Sequence, residues 1–407
     1  MRLSKTFVKT LKEVSKEETA KNGILLTRAG YVHKEMAGVY DFLPLGLITL
    51  EKIKQVIREE LLEIGGEEVM MSALQNPEPW EKTGRFSDQE VDIWFKTKLA
   101  SGGELGLAPT HEEPITNLMK KYIKSYKDLP FSVFQFQNKF RNELRAKSGI
   151  LRGREFLMND LYSFHASEAD LDRFYTKVEE AYKKIFQRLG IGESTHETFA
   201  SGGIFAKYSH EFQTFLPVGE DTVYYNKDCS LVLNKEVFND EVLADLGASE
   251  EKFETTTAAE VGNIFKLKLK YSEPLGLTFN DENNQEQTVY MGCYGIGVSR
   301  LMGVIVEKFA DEKGLVWPEE IAPFKYYLVG IGERGMAEAE KIYAEHSNEI
   351  IFDERDSRPG VKFADAELMG IPYRIVVSDK TLADNSAEIT NRQSGETKLV
   401  PIEKIFE

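Results

Sequence analysis

The sequence predicts a two-part chain: a long region of mixed helix and strand built around an antiparallel hairpin, followed by a small α/β unit. Three observations carry this reading. At 407 residues the chain exceeds the usual size of one domain. Residues 131–140 alternate in part between apolar and polar, and 155–165 look like their return strand. Beyond the prolines at 318 and 323, strand and helix signals alternate to the end. An apolar content of 42% with 11% aromatics is enough to bury a sizeable core.

The elements follow in order. Leu47, Leu50, Ile53, Ile57, Leu61 and Ile64 recur every three or four residues, which predicts an amphipathic helix over 47–64 ended by Gly65-Gly66. A strand over 68–74 comes next, then the hairpin. Ser167 as N-cap, the stripe Leu171, Phe174, Val178, Ile185 and Leu189, and Gly190 past the end define a second long helix. From 226 to 260 the pattern weakens and acidic residues accumulate; Thr255-Thr256-Thr257 reads as a linker or a reduced insertion. Strands over 263–271 and 288–292 precede a helix over 298–309. The last part predicts strand 326–331, helix 336–346, strand 349–353, helix 361–369 and strand 374–378, a mixed sheet with helices.

Bulk composition narrows the function. A net charge of −16 argues against tight nonspecific DNA binding, but leaves room for a structured RNA held at a few points. No apolar run approaches bilayer length and the first residues lack the apolar core of a signal peptide, so a soluble chain with no membrane partner is expected. Cys229 and Cys293 are too few for a disulfide framework or a zinc site of four cysteines. A reducing, cytoplasmic setting fits, and no residue is assigned as a metal ligand.

Four clusters can carry chemistry. In Pro109-Thr110-His111-Glu112-Glu113, a hydroxyl and a carboxylate two residues apart on extended backbone point the same way and can bind an ammonium group. The alternative is a capping box, with Glu113 three residues after Thr110. Around the hairpin turn, Phe140-Arg141-Asn142-Glu143 and Arg152-Gly153-Arg154-Glu155-Phe156 offer forked cations for phosphate oxygens and a flat apolar face for a purine. A solvated charged hairpin is the competing account. Ser209-His210-Glu211-Phe212 follows Gly202-Gly203, and a single histidine there reads equally as structural. In Gly292-Cys293-Tyr294-Gly295-Ile296-Gly297-Val298-Ser299-Arg300, glycines before a helix start let backbone approach a phosphate or base. That segment matches neither the P-loop nor the dinucleotide fingerprint, and a plain helix-start turn also explains it.

Taken in order, these segments resemble the bacterial-type prolyl-tRNA synthetases, a family of class II aminoacyl-tRNA synthetases, over nearly the whole chain. The resemblance runs through Arg28-Ala29-Gly30-Tyr31, Tyr40-Asp41-Phe42-Leu43-Pro44-Leu45-Gly46, Trp80 with Thr83-Gly84-Arg85, and the four clusters. It ends with Gly360-Val361-Lys362-Phe363-Ala364-Asp365 and Gly370-Ile371-Pro372. It implies an α+β class II catalytic domain over 1–322, an antiparallel sheet flanked by helices, and a C-terminal α/β anticodon-binding domain over 323–407. It also implies ATP, Mg²⁺, L-proline and tRNA(Pro) as cofactors and partners, and a homodimer. By the same resemblance Arg141 contacts the ATP α-phosphate and the amino-acid carboxylate, Glu143 orients the adenine, Phe156 stacks on it, and Arg152 adds a phosphate contact. Arg300 holds the γ-phosphate, with Gly295 and Gly297 leaving room for the nucleotide. Thr110 and Glu112 bind the prolyl ammonium, His210 lines the proline pocket, and Met158 and Phe212 are further walls. Arg355 and Lys362 are candidates for anticodon contact, with surface charge as the other account of them.

Two departures from the family matter. Only 226–260 occupies the place where many bacterial members carry a large editing domain, so alanyl-tRNA would be cleared by a separate deacylase or tolerated. Met71-Ser72 stands where the family usually has Met-Pro in its motif 1 strand, which bears on the dimer interface. Two rival readings remain: a non-catalytic synthetase-like RNA-binding paralogue, which would usually lose the ATP-site arginines present here, and another class II specificity such as threonine, histidine or serine.

Overall fold

Alternate β-branched and aromatic residues along several segments build one large sheet. The structure, a computed structural model, describes residues 1–201 and 208–406, so Gly202 and Gly203 lie outside the described residues. Contacts group the chain into two compact units: Ala37–Val39 with Lys54–Val304, and Met1–Met36, Tyr40–Ile53 with Ile305–Glu407. By contact the first 36 residues group with residues 305–407.

Helix α1 spans Pro44–Glu63 and buries Leu50, Ile53, Ile57 and Leu61 as the periodicity predicts, while Leu47 stays exposed. The large sheet contains β1 (Gly66–Glu68), β2 (Phe131–Phe140), β3 (Glu155–His165), β4 (Thr195–Ser201), β5 (Tyr208–Phe215), β6 (Asp221–Asn226), β7 (Val232–Asn234), β8 (Phe253–Lys268) and β9 (Tyr290–Gly297). Among the described residues the strand order is β5-β4-β7-β6-β8-β9-β3-β2-β1, with β5 also pairing β8. The five strands β4 to β8 thus close into a ring, and β9, β3 and β2 continue from it in antiparallel register. Helix α2 (Glu112–Met119) leads towards β2, and α3 (Glu168–Arg188) covers one face of the sheet. Ser167 caps α3 by accepting from the Asp170 N–H, and Leu171, Val178, Ile185 and Leu189 are buried. Helix α4 (Val298–Phe309) follows β9 directly.

Two expectations change. The strand expected over 68–74 ends at Glu68; after one more backbone bond, from the Val69 N–H to the Phe134 carbonyl, side-chain amides take over, the Met71 N–H donating to Gln135 Oε1 and Gln137 Nε2 to the Met71 carbonyl. Residues 226–260 are no linker. They form β7, a short helix at Asp240–Asp245 and the start of β8, in which Thr255, Thr256 and Thr257 pair with Tyr224, Val223 and Thr222. Threonine suits a half-buried pleated surface, a preference that weak apolar alternation hides.

The C-terminal unit matches its expected order: β10 (Tyr326–Ile331), α5 (Gly332–His346), β11 (Ile350–Asp353), α6 (Pro359–Met369), β12 (Tyr373–Ser378), β13 (Ser386–Asn391) and β14 (Thr397–Pro401). Its sheet runs β11-β10-β12-β13-β14, parallel for the first three strands and antiparallel thereafter.

Near the start of α1 the Tyr31 carbonyl accepts from the Leu43 N–H, and a Cβ on Gly46 would sit 2.1 Å from that oxygen. Backbone cannot yield there as a side chain would. Gly46→Ala is expected to cost about 1–3 kcal/mol, read as a lower denaturant midpoint; an unchanged midpoint would show that the helix start can shift freely.

Candidate functional site

Period-two alternation carries the site. Across five strands, Gln135, Asp160, Gly295, Asn263 and Glu211 pair in one row, so their side chains share one face of the sheet. Lys139, Gln137, Phe156, Met158, Cys293 and Gly297 fall on the same face by the same count. Between β5 and β8 a β-bulge breaks the count: opposite Phe212 and Gln213 stand Gly262 and Glu260, with Val261 extra. The bulge turns Glu260 onto the face that Asn263 already occupies, and Glu260 Oε1 accepts from Asn263 Nδ2 at 2.9 Å.

Two cavities open on this face. The first cleft is lined by Arg141, Glu143, Arg152, Phe156, Glu260 and Arg300, with Gly295 and Gly297 in its floor. The Arg141 guanidinium lies 5.2 Å from the Phe156 ring centre and donates through Nε to the Pro109 carbonyl at 3.3 Å. Among the described residues it makes no ion pair, and burial, then the facing Arg300, lower its pKa. Arg300 is oriented by the Leu151 carbonyl at 2.8 Å and the Glu260 carbonyl at 2.7 Å. Glu143 accepts from Arg152 at 2.7 Å, and Arg152 also reaches Glu220 at 3.2 Å. A Cβ on Gly295 would stand 2.5 Å from the Met158 methyl and 3.1 Å from Asn263 Oδ1, filling the floor. Asp221 and Glu260 line an adjoining pocket with Arg300, and Glu211 feels the charge of both. Burial first, then Glu260, push the Glu211 carboxyl up to about 8, and burial raises Asp221.

The second cavity is lined by Arg85, Thr110, Glu112, Asp160, Phe265 and Cys293, and it shares Arg141, Met158, Asn263 and Gly295 with the first. Thr110 Oγ1 donates to Glu112 Oε2 at 2.5 Å, and the Cys293 thiol lies 3.4 Å from Glu112 Oε1. The capping box is not formed: His111 takes the N-cap position of α2 without a side-chain cap, and Glu113 instead accepts from Arg85 at 2.8 Å and Thr83 at 3.0 Å.

The structure thus brings together Arg141, Glu143, Arg152, Phe156, Gly295, Gly297 and Arg300, and joins to them Thr110, Glu112 and Met158. It does not bring His210 and Phe212 to the second cavity. They are one residue out of phase with Glu211, so they point under α3. His210 Nδ1 meets the Tyr175 hydroxyl at 2.7 Å, and Phe212 packs on Phe186 and Tyr182. Both line a separate cavity with Lys183, His196 and Phe199. In the C-terminal unit Arg355 forms a fork with Asp353 at 2.7 Å and reaches Asp365 at 2.6 Å, while buried Lys362 donates to the Asp353 carbonyl at 2.9 Å. Neither presents a free cation.

Sequence reasoning missed Asp160, Asn263 and Glu260. Counting two on from Met158 finds Asp160; the bulge that delivers Glu260 leaves no signal in the sequence.

Residues 95–309 match the family model of the tRNA synthetase class II core domain (G, H, P, S and T), and 325–407 match an anticodon binding domain. The chain is 36% identical to a proline–tRNA ligase of Wolbachia pipientis wMel, over 99% of this chain and 98% of that one. It is 37% identical to one of Phenylobacterium zucineum, over 99% and 98%. Among solved structures, a prolyl-tRNA synthetase of Giardia lamblia in complex with prolyl-adenylate superposes with a TM-score of 0.76 at 19% identity, covering 94% of this chain and 75% of that one.

Burial, ahead of the Lys139 ammonium, depresses the His111 pKa from an ordinary 6.5 to about 4. Below 6.5 the unfolded chain takes up a proton that the folded ring refuses, so this contribution is complete above 6.5 and is lost as pH falls towards 4. The wild type is expected to lose unfolding free energy more steeply across that window than His111→Asn. Equal slopes would remove His111 from the acid response.

Proposed function

The chain belongs to the prolyl-tRNA synthetase family, and on that premise we propose how its own residues divide the work of the reaction. It is a proline–tRNA ligase: it activates L-proline with ATP as prolyl-adenylate and transfers the prolyl group to tRNA(Pro). One observation carries the assignment of roles: Arg141 lines both cavities and, among the described residues, pairs with no carboxylate. A half-buried guanidinium without a counter-ion calls for anions, and two arrive here.

In this reading the ammonium of proline enters beside Thr110, Glu112 and Asp160, and its carboxylate lies under Arg141. The triphosphate occupies the first cleft, between Arg141 and Arg300, with the purine against Phe156 and Glu143 turned towards its edge. The carboxylate attacks the α-phosphorus in line, pyrophosphate leaves, and Arg141 neutralises the nucleophile and the charge gathering on the phosphoryl oxygens. The nucleophile is already an anion, so no general base is needed. The terminal hydroxyl of the tRNA then attacks the prolyl carbonyl and AMP departs.

Beyond burial, like charge from Glu260 and Asp221 raises the Glu211 carboxyl, a local acidic surplus that fits a divalent cation even with Arg300 at 3.4 Å from Glu260. Glu260 and Asp221 would hold Mg²⁺ there. Bound Mg²⁺ supplies charge neutralisation to the leaving phosphates. His210 and Phe212 have no part in this site. Exposed Leu62, Met70 and Leu74 support a homodimer, in which apolar side chains leave water. A cytoplasmic setting completes the reading.

Arg141→Ala is expected to lower proline-dependent pyrophosphate exchange by roughly 10³-fold or more while leaving the melting temperature near wild type. A folded variant with near-normal exchange would take Arg141 out of the mechanism.

Editing is also addressed by this fold. Apolar walls discriminate by only about 1–3 kcal/mol per missing methylene, so alanine enters a proline pocket. Residues 226–260 are built into the sheet as strands, turns and one short helix. The enzyme is therefore expected to leave preformed alanyl-tRNA(Pro) intact, with clearance by a separate deacylase or none. Rapid deacylation by the purified protein would refute this.

A further inference from the structure

Three buried polar groups lie under the second cavity, and the reaction as described uses neither the imidazole nor the ammonium among them. His111 is fully buried between the two amine-binding residues Thr110 and Glu112. Lys139 is fully buried on β2, and Asp160 is 3% exposed on β3, its carboxylate forming part of the cavity wall. Lys139 Nζ meets His111 Nδ1 at 2.6 Å and donates to Asp160 Oδ2, which also accepts from Gln135 Nε2 at 2.9 Å. An ammonium has only donors, so His111 Nδ1 must accept. The ring proton is then on Nε2, which donates to the Ser72 carbonyl at 3.1 Å. The imidazole is pinned on both sides.

This arrangement is expensive unless it fixes something. A buried ammonium costs several kcal/mol unless it is paired and hydrogen-bonded. Yet Lys139 touches nothing that reacts. What it does touch is the back of the amine site: Asp160 directly, and Glu112 through the imidazole of the residue before it.

We infer that His111 and Lys139 are positioning residues of the amino-acid subsite, which lock the Thr110–Glu112 loop against the Asp160 carboxylate so that two acidic groups converge on the two N–H donors of a secondary ammonium. The inference rests on the reading of this cavity as the amine site. Ser72 provides the outer anchor through its carbonyl, so the residue in place of the usual proline costs the anchor nothing. The side chain of Ser72 has a separate partner, the Leu74 carbonyl at 3.1 Å.

The prediction separates the amine from the rest of the substrate. Pyrophosphate exchange is measured on the full chain for wild type, His111→Leu, which loses both contacts, and His111→Asn, whose amide oxygen still accepts from Lys139. The probe is tetrahydrofuran-2-carboxylate, a proline analogue with oxygen in place of the ring nitrogen, used as an inhibitor. For His111→Leu the KM for proline is expected to rise about 10-fold or more, with the KM for ATP and the Ki of the analogue within about twofold of wild type. His111→Asn should recover most of the loss. If His111→Leu does not fold, the same ratio is read on His111→Asn, where a rise of a few-fold confined to proline is expected. A proline KM within twofold of wild type, or equal rises for proline, ATP and the analogue, would overturn the inference. Absence of proline-dependent exchange in the wild type would instead overturn the functional reading beneath it.

Discussion

Strand register is the constraint on which the rest depends. Gln135, Asp160, Gly295, Asn263 and Glu211 come from five strands and meet substrate only because the pairing holds to the residue. A slip of one position in any strand would turn its members to the helical side and present Leu161, Tyr294, Ile264 or His210 to the cleft. The large apolar residues of that opposite row, packed beneath α3, hold the register. Core and site are therefore two readings of one alternation.

Charge placement follows from the same frame. Arg141 and Arg300 face each other across the cleft; Glu260 lies 3.4 Å from Arg300, while Arg141 is left to meet an incoming anion. At the amine site Glu112 and Asp160 face inwards beside Arg85, with Lys139 buried behind Asp160. The two cavities share Arg141, with Arg300 on one side of it and Glu112 and Asp160 on the other. An amino acid, itself a zwitterion, can lie across that junction in one orientation only.

Much of this was legible in the sequence. The hairpin arginines, Thr110 with Glu112, and the glycines before α4 were readable because each is a local pattern with its own chemistry. The C-terminal α/β order was readable because its strands are buried and uniformly apolar. What stayed hidden depends on three-dimensional counting. His210 and Phe212 sit in a suggestive motif, but their phase relative to β8 decides which face they take, and phase across strands cannot be read from one segment. Glu260 is the converse: an acidic residue in a stretch that looked like linker, delivered to the site by one extra residue. Likewise the strand expected over 68–74 failed because Gln135 and Gln137 substitute side-chain amides for backbone, a replacement invisible to pattern.

The ring formed by β4 to β8 has a consequence for the protein's behaviour at high concentration. Among the described residues each of those strands has a neighbour on both sides, the seam between β4 and β7 being the single parallel pair Phe199 and Leu233, so that end of the sheet offers little open ladder to another molecule. At the far end β1 is three residues long and ends in two exposed glutamates, a short, charged stop that a foreign strand can hardly extend. The sheet is closed at one end by topology and blunted at the other by charge. Trimming the 226–260 segment, which its sequence alone would suggest is dispensable, would reopen the ring and leave β4 and β8 available for aberrant pairing.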